Sequence, residues 1–380
     1  MKKNLLIPFL ILSIYCSAQE KIPFIDYETV YEKVTETANE GAYEETLGHL
    51  DRISKNDSTY CSTMVTKSYY LMQLERYDDA LTLIDEGLDS KCHDLHSSFF
   101  VNKVATLLRQ EKGQEALNSC EDGLKRFPQN KILWFNKGVS FEKLGKIEEA
   151  VAAYQKTIAL DPFYRKAYLQ LGNICYKQEL ISQALMCYNM YLILQPNAEN
   201  AFSILKSLNK IEKSKNENSK DATLKISKDD PSFEEIDLIL NNRIALNENY
   251  ETGNEINIAL VKQNHALMSA LKDYSGNKGF WDTKFVPYYL WVMEQGFFDA
   301  FSYTLSYSIQ NEDYKKVIEK KKKEIQEFLE VSNNKWMQLA TNESTVKDKK
   351  EEHWNHYFES GYTKGIGRKE NNVVIGNWDL

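Results

Sequence analysis

Residues 131–164 read KILWFNKGVSFEKLGKIEEAVAAYQKTIALDPFY, and residues 165–198 read RKAYLQLGNICYKQELISQALMCYNMYLILQPNA. The second stretch follows the first directly and repeats its pattern position by position. Six pairs of aromatic, small or apolar residues and prolines carry the match: Trp134 and Tyr168, Gly138 and Gly172, Phe141 and Cys175, Ala150 and Ala184, Tyr154 and Tyr188, Pro162 and Pro196. A period of about 34 residues indicates a stacked array of similar supersecondary units.

The same frame continues towards the N terminus. Residues 97–130 form one copy, residues 61–96 another copy with a two-residue insertion, and residues 27–60 a degenerate copy. The pattern resembles the tetratricopeptide repeat (TPR) family over roughly residues 27–198. The resemblance implies an all-α fold, a TPR-type right-handed α-solenoid of helical hairpins that presents a groove to another protein.

The sequence after the repeats divides into three parts. Residues 201–211 continue a helical pattern, and we interpret them as a capping helix that closes a TPR array over residues 27–212. Residues 213–230 are almost wholly polar, which is typical of a linker. Residues 231–380 show helical spacing and no alternating strand pattern. We therefore predict a second all-helical domain there, of a type that resembles no named family.

Residues 1–18 have the features of a secretory signal peptide. Lys2 and Lys3 precede a short apolar run, and small residues follow it. The run is about half the ~20 residues that a membrane span requires. We predict export to the periplasm, the outer envelope or the medium, with no membrane span after removal of the leader. An uncleaved anchor and lipidation at Cys16 are the alternatives.

Five cysteines follow the leader, an odd number that does not suggest a disulfide framework. Cys120 and Cys175 fall at repeat positions that apolar residues normally occupy, so we interpret them as small buried side chains. Cys61 and Cys92 lie at the start of one predicted helix and just beyond its antiparallel partner. Hairpin geometry would bring these two ends close together, so a disulfide between them is conceivable.

Composition and motifs exclude several classes of function. The formal net charge of −8 argues against nucleic acid as the main ligand, because a phosphate backbone normally needs a basic surface. No phosphate-binding loop is present, and Gly365 and Gly367 lack the third glycine of a dinucleotide motif. We predict no cofactor, no small-molecule ligand and no catalytic residue.

Two histidine pairs are candidates for a metal site. His353 and His356 are spaced to share one face of a predicted helix, but the His-Glu-x-x-His arrangement of zinc hydrolases is absent. His93 and His96 lie beside Cys92, in a segment that we interpret as a polar loop. We therefore predict no metal.

The candidate binding site is the groove formed by the first helices of the hairpins. By analogy with the family, the residues that face it are Tyr69, Val101, Phe135, Val139, Lys166, Leu169, Asn173 and Tyr176. Heat-shock co-chaperones of the family clamp a C-terminal carboxylate with a Lys and an Asn. Here Val101 and Ala105 occupy those places, so we do not predict that clamp. Packing of the groove residues against the chain's own second half is the alternative.

The sequence predicts a non-catalytic scaffold that binds a protein or peptide partner. The alternative is an enzyme or assembly factor whose activity resides in residues 231–380, with the repeats recruiting its substrate. An enzyme would require a pocket with a convergent polar group in its aromatic-rich region. That region surrounds Trp281, Tyr288, Trp291 and Tyr303, and the candidate polar groups are Glu294, Asp299 and His265.

Overall fold

The computed structural model describes residues 26–197, 201–211, 233–241, 249–274, 276, 279–341, 352–357, 363–370 and 373–379. The chain divides into two compact units, residues 1–60 and 61–380. The first unit contains one hairpin, α1 (Tyr27–Asn39) and α2 (Tyr43–Leu50). The buried hydroxyls of Thr37 and Thr46 share a hydrogen bond of 2.9 Å, which fixes how these two helices pack.

Four further hairpins follow. They are α3 (Tyr60–Gln73) with α4 (Tyr77–Asp89), α5 (His96–Arg109) with α6 (Gly113–Arg126), α7 (Lys131–Lys143) with α8 (Ile147–Leu160), and α9 (Arg165–Lys177) with α10 (Ile181–Leu194). Successive hairpins stack, with α4 on α5, α6 on α7 and α8 on α9. The second helices pack closely because a buried alanine recurs at one position: Ala80, Ala116, Ala150 and Ala184.

The repeat is also visible in the backbone of the turns between paired helices. Each turn has one residue in the left-handed region, with φ between 60° and 75°: Gly41, Glu75, Glu111, Gly145 and Glu179. These positions recur once per repeat, and only the step from Glu75 to Glu111 is longer than the others. The longer step reflects the predicted insertion, and a short 3-10 turn, His93–Leu95, precedes α5 there.

Replacing Glu75 by Gly is expected to raise the free energy of unfolding by about 0.5–1 kcal/mol. A side chain at φ 60° costs about 1–2 kcal/mol, and the added flexibility of glycine in the unfolded chain offsets about half of that gain. Urea denaturation measures the change. Gly145→Ala, at φ 71° in the equivalent turn, is the converse control and should lose about 1 kcal/mol. A less stable Glu75→Gly variant would contradict the argument.

The helices after the repeats share the core of the last hairpins. They are α11 (Ala201–Ile211), α12 (Glu234–Asn241), α13 (Ala259–Ala270), α14 (Val286–Glu294), α15 (Phe298–Leu305), α16 (Glu312–Lys320) and α17 (Lys322–Thr341). Helices α11, α12 and α15 pack on α10, which is buried around most of its circumference. One continuous apolar cluster extends from Phe135 to Ala340. The described part of the second half therefore closes the end of the array.

Polar contacts fix the positions of these helices on the last repeat. The indole Nε1 of Trp336 donates to the hydroxyl of Tyr168 (2.7 Å) and to the carbonyl of Pro162 (3.2 Å). On α10, the amide of Asn189 donates to Asn264 of α13 (2.6 Å) and to the hydroxyl of Tyr289 (3.1 Å). Such buried polar pairs favour one register of packing, because a shifted register would leave them unpaired.

A carboxylate from α12 accepts hydrogen bonds from the first turn of α10. Asp237 accepts hydrogen bonds from the backbone N–H of Ser182 (2.8 Å) and from its hydroxyl. Burial raises the pKa of Asp237 to about 6, although the bonds from Ser182 oppose that shift. The unfolded carboxyl has a pKa of about 3.9, so the native state binds more protons between pH 4 and 6. Stability from this group is therefore present at low pH and is lost as the pH rises through 6.

Acidification is thus expected to stabilise the wild type relative to Asp237→Asn. The difference between their free energies of unfolding should change by up to about 3 kcal/mol between pH 7 and pH 4. Urea denaturation across that range measures it. Asp122→Asn, at an exposed position on α6, is the matched control and should keep the wild-type pH dependence. Parallel pH curves for wild type and Asp237→Asn would exclude this role of Asp237.

The structure differs from the sequence prediction at the C-terminal end. Three strands, β1 (Glu352–Tyr357), β2 (Thr363–Glu370) and β3 (Val373–Asp379), form an antiparallel sheet in the order β1-β2-β3. His353 and His356 therefore lie on a strand, and their predicted placement on one helical face is wrong. Consecutive residues of a strand alternate between its two faces, so a spacing of three residues does not imply a shared face as it does on a helix. The predicted capping helix corresponds to α11, whereas the linker over residues 213–230 lies outside the described residues.

Candidate protein-binding groove

A tyrosine of the second helix packs against a glycine of the first helix in each of the last two hairpins. A Cβ atom added to Gly138 would lie 2.5 Å from the ring of Tyr154, and one on Gly172 would lie 2.9 Å from the ring of Tyr188. The two glycine–tyrosine pairs occupy equivalent positions in successive repeats. Only glycine admits so close an approach, which explains why both positions lack a side chain.

The same tyrosines orient polar residues on the groove side of the first helices. The hydroxyl of Tyr188 donates to Oδ1 of Asn173 at 2.8 Å, and the hydroxyl of Tyr154 donates to the carboxylate of Glu142. Burial raises the pKa of both tyrosines, so the hydroxyls stay protonated and act as donors. The side-chain amide of Asn173 in turn donates to Gln170 at 3.3 Å. Asn173 is therefore held in place before any ligand arrives.

Two of the predicted apolar anchors are part of the array's own core. Val101 is 1% exposed and Phe135 is 8% exposed. The ring of Phe135 lies between those of Tyr154 (5.5 Å) and Tyr164 (5.1 Å), the latter at the N-cap position of α9. The sequence predicted that a ligand would touch these side chains, but other side chains of the array already cover them. The face of the helix was predictable, whereas the covering by Tyr164 depends on the stacking of hairpins.

The remaining predicted groove residues reach the surface. Tyr69 and Val139 are half-buried on α3 and α7. The other four lie along α9 as one stripe: half-buried Lys166, Leu169 and Asn173, and Tyr176, which is 42% exposed. Gln170 and Lys177 border this stripe on the same side of the helix. We call these six residues the α9 face.

The second half of the chain contacts α9 from a different direction. Tyr168 is fully buried, and its ring lies 6.0 Å from Trp336 and 6.4 Å from Phe285. Tyr168 and Leu169 are consecutive on a helix, so their side chains point about 100° apart. Helices α11, α12 and α15 pack on α10 instead. Leu169 packs against the core cluster that continues into the second half but stays half-buried, and Tyr176 is 42% exposed among the described residues. Packing of the groove residues against the second half therefore remains an alternative.

Basic residues line one edge of the groove. Arg109, Lys143 and Lys177 recur once per repeat, each at the end of a first helix, and all three are exposed. Lys143 pairs with Glu111 at 2.5 Å. The α9 face itself contains Lys166 and Lys177 and no carboxylate. Its local charge is therefore opposite to the net charge of the chain, which is −8.

The aromatic-rich region that an enzyme would need as a pocket is a packed core. Trp281, Tyr288 and Tyr303 are buried, and the ring of Tyr288 lies 5.5 Å from that of Trp336. Trp291 is half-buried against Phe297, with ring centroids 5.2 Å apart.

Two of the polar candidates near this core already bind other side chains. Asp299 accepts from the amide of Asn254 at 2.7 Å, and His265 Nδ1 shares a hydrogen bond of 2.7 Å with the hydroxyl of Tyr250. Glu294 is exposed. These contacts serve packing between loops and helices of the second half.

The cysteines fall into two groups. Cys61 and Cys92 form a disulfide that joins the start of α3 to the segment just after α4, with their Cα atoms 5.5 Å apart. Cys120, Cys175 and Cys187 are free and buried. Burial raises the pKa of the Cys120 thiol to about 12 and raises that of Cys187 as well. The thiols of Cys120 and Cys187 are therefore protonated at neutral pH and are poor nucleophiles.

The second histidine pair, His93 and His96, contacts residues of the repeat array. His96 is buried and lies beside the guanidinium of Arg126, and its ring centroid is 5.0 Å from that of His93. Burial, together with the positive charge of Arg126, lowers the pKa of His96. Among the described residues, no group of three His, Cys, Asp or Glu side chains is arranged to hold a metal ion. None of the described helices combines the length and apolar character needed to span a membrane.

Comparison with known proteins identifies the repeats. A family model described as the tetratricopeptide repeat matches residues 132–164. The Hsp70-Hsp90 organizing protein of Triticum aestivum is 24% identical over 156 residues, covering 39% of this chain and 27% of that protein. The probable UDP-N-acetylglucosamine–peptide N-acetylglucosaminyltransferase SPINDLY of Petunia hybrida is 27% identical over 103 residues, covering 27% and 11%. The chain thus spans about a quarter or less of these curated relatives.

Among solved structures, the MamA fragment from position 41 to the end, from Desulfovibrio magneticus RS-1, is 20% identical with a TM-score of 0.37. That match covers 45% of this chain and 96% of the other. The family match to residues 132–164 and the hairpin geometry above agree on the class of fold. This chain contains tetratricopeptide repeats, built as an all-α arrangement of helical hairpins.

Proposed function

We propose that this chain is a non-catalytic scaffold that holds a protein or peptide partner in its TPR groove. One observation carries the proposal. Tyr176 is 42% exposed and stands with half-buried Leu169 on a face where Asn173 is already oriented by Tyr188. An apolar anchor beside a fixed polar group is how binding surfaces combine affinity with orientation. Because α9 is a rigid helix, little ordering entropy is lost on binding.

The absence of a catalytic role is part of the same proposal. The three free thiols are buried, and burial keeps those of Cys120 and Cys187 protonated, which argues against thiolate chemistry. His265 and Asp299 are engaged by Tyr250 and Asn254 at the surface of a packed aromatic core. The SPINDLY relative is named as a transferase, but its match covers only 11% of that protein. The alternative enzyme would have to place its active site in residues 231–380.

We also propose that the chain works in the bacterial envelope or outside the cell. The leader over residues 1–18 supports export. The disulfide between Cys61 and Cys92 supports it independently, because disulfides persist in oxidising compartments and are rare in the cytosol. Fractionation of cells, followed by mass spectrometry of the N terminus of the chain, tests this part. A cytosolic chain that retains residues 1–18 would refute it.

An affinity pull-down from envelope extracts tests the scaffold. The wild type is compared with a Leu169→Ala, Asn173→Ala, Tyr176→Ala variant, whose changes all lie on the α9 face. The matched control is Phe163→Ala, because Phe163 is 44% exposed on the neighbouring turn. We expect a partner that wild type and control retain and the triple variant loses. Retention that survives high salt would indicate an obligate assembly factor, since apolar interfaces are not screened by salt.

Two results would contradict the scaffold proposal. Equal recovery of every partner by the wild type and the triple variant would move the functional surface away from α9. Turnover of a substrate by the isolated chain, lost on substitution within residues 231–380, would favour the enzyme. Circular dichroism of each variant establishes that a lost partner does not reflect unfolding.

A further inference from the structure

We propose that the start of α5 carries a pH-sensitive lid, in which protonation of His96 releases the side chain of Arg126 and uncovers the first turn of the helix. His96 is the first residue of α5, and Arg126 is the last residue of α6. The contact between them therefore joins the two outer ends of one hairpin. The lid does not involve the α9 face, so the inference is independent of the proposed scaffold function.

The contact requires a neutral imidazole. Nη2 of Arg126 lies 2.5 Å from Nδ1 of His96. A guanidinium nitrogen donates hydrogen bonds and cannot accept them, and Arg stays charged throughout the physiological pH range. Nδ1 must therefore accept, which places the proton of the neutral ring on Nε2. Protonation of His96 would turn Nδ1 into a second donor, so the hydrogen bond would be lost.

The two partners differ in burial, and this difference decides which of them moves. His96 is 2% exposed, whereas Arg126 is exposed. The guanidinium carbon also lies 5.7 Å from the centroid of the Phe100 ring and 5.8 Å from that of Phe127. Phe100 follows His96 by four residues, so both lie on one face of α5. Arg126 thus covers this face as a lid, and its side chain can move into water while His96 stays in the helix.

The nearest charges oppose protonation of His96. Arg126 faces it from α6, and His93 faces it from the turn before α5, with ring centroids 5.0 Å apart. The segment after α4 contributes the backbone carbonyl of Ser90, which favours the charged ring, and Cys92, which is held in the disulfide. Burial, followed by the positive charges of Arg126 and His93, lowers the pKa of His96.

The other charged groups around α5 are exposed or paired. Helices α4 and α7 also pack on α5. All carboxylates of α4 are exposed: Asp78, Asp79, Asp85, Glu86 and Asp89. The charged residues of α7 have partners: Lys131 with Asp161, Lys137 with Glu121, Lys143 with Glu111, and Glu142 with Tyr154. Asp94 is exposed, and Lys125 of α6 pairs with Asp122. Solvent and salt screen such exposed charges, so Arg126 and His93 dominate at His96.

Acid is therefore expected to open the lid. The pKa of His96 lies below its ordinary value of 6.5, so the native state binds fewer protons near that pH than the unfolded chain does. The stability that neutral His96 contributes is present above pH 6.5 and is lost as the pH falls through the lowered pKa. The native chain accommodates the new charge by releasing Arg126 to solvent, which uncovers Phe100.

NMR titration of the full chain, labelled with ¹³C in its histidine rings, tests the charge coupling. His96→Gln identifies the resonance of His96. We expect its midpoint below pH 6.5 in the wild type, and about half a pH unit higher in Arg126→Gln, because the nearest positive charge is removed. Lys125→Gln is the matched control, an exposed cation one residue earlier on α6, and it should leave the midpoint unchanged.

Hydrogen exchange measures the opening of the lid. After correction for the intrinsic exchange rate, the amides of the first two turns of α5 should lose protection about 10-fold between pH 7 and pH 5. His96→Gln should keep its protection at both pH values, because the amide oxygen of Gln accepts from Arg126 and carries no charge. The amides of α9 are the internal reference and should show no such loss.

Four results would overturn the inference. They are a midpoint of His96 at or above pH 6.5, the same midpoint in the wild type and Arg126→Gln, equal protection of α5 at pH 7 and pH 5, and an equal loss of protection in His96→Gln. The last result would assign the acid response to another group. The titration and the exchange of the wild type need no substitution beyond the assignment, so a poorly folded Arg126→Gln chain would still leave the inference open to refutation.

Discussion

Replacing Trp336 by Ala is expected to lower the free energy of unfolding by about 3–5 kcal/mol, the range typical of truncating a fully buried Trp. Trp336 has no exposed surface, and its ring lies 4.9 Å from that of Phe285 and 5.5 Å from that of Tyr288. Its Nε1 also donates to Tyr168 and to the carbonyl of Pro162. Truncation would leave a cavity between α17 and the last repeat and remove both hydrogen bonds.

Trp134→Ala is the matched control for this prediction. Trp134 precedes Tyr168 by one repeat, and its Nε1 donates to the carbonyl of Pro128 at 2.9 Å, as the hydroxyl of Tyr168 does to Pro162. Trp134 is only half-buried, so its truncation should cost about 1–2 kcal/mol. Urea denaturation measures both variants. Equal losses would show that α17 adds nothing to the burial of the last repeat, which would contradict the shared core.

A conservative variant separates packing from hydrogen bonding. Trp336→Phe keeps most of the apolar contact but removes the Nε1 donor. Tyr168 still donates to Pro162, so no buried acceptor is left without a partner. The loss should therefore be about 1–2 kcal/mol, clearly below that of Trp336→Ala.

The repeats were predictable from the sequence because their determinants are local. Gly138 with Tyr154 and Gly172 with Tyr188 each meet within a single hairpin, and the repeat period reveals them without knowledge of the fold. The left-handed turn residues follow the same period, although three of them are glutamates. A glutamate carries no signature of positive φ, so only the period identifies those turns.

The contacts of the second half were not predictable in the same way. Trp336 meets Tyr168 across 168 residues of sequence, and nothing near either residue encodes the pairing. Within residues 231–380, whose spacing is helical, the structure breaks the helix at Lys321, between α16 and α17. Helix α13 begins only at Ala259, because Asn254 binds Asp299 and the backbone N–H of Ile256 instead. At Asn254, a tertiary contact overrides the local pattern.

The groove illustrates the same limit. Helical spacing placed Phe135 and Leu169 on one face in both repeats, since they occupy equivalent positions. Their exposure differs because Tyr164 covers Phe135, whereas the described helices of the second half approach α9 from another side. Exposure depends on the element that follows in the stack, and that is a property of the assembled array.

Removing the disulfide between Cys61 and Cys92 is also expected to lower the free energy of unfolding strongly. It closes a loop across 31 residues of sequence, and the chain-entropy model gives about 3–4 kcal/mol for a loop of that size. The free energy of unfolding of the oxidised wild type should therefore exceed that of the Cys61→Ser, Cys92→Ser double variant by this amount. Urea denaturation measures both. Dithiothreitol should lower the free energy of unfolding of the wild type to that of the double variant, and it should leave the value for the double variant unchanged. Cys120→Ala, a buried free thiol on α6, is the control that should remain sensitive to the reductant.

The loss of stability should also be confined to the hairpin of α3 and α4. Repeats contact mainly their neighbours, so an array can open at one hairpin while the rest stays folded. Hydrogen exchange should increase in α3 and α4 of the double variant and change little in α9 and α10, whose core continues into α17. Capture of a partner at the α9 face should then survive reduction. If reduction instead abolished that capture while α9 stayed protected, the hairpin of α3 and α4 would itself belong to the binding surface, and Tyr69 would be the residue to replace next.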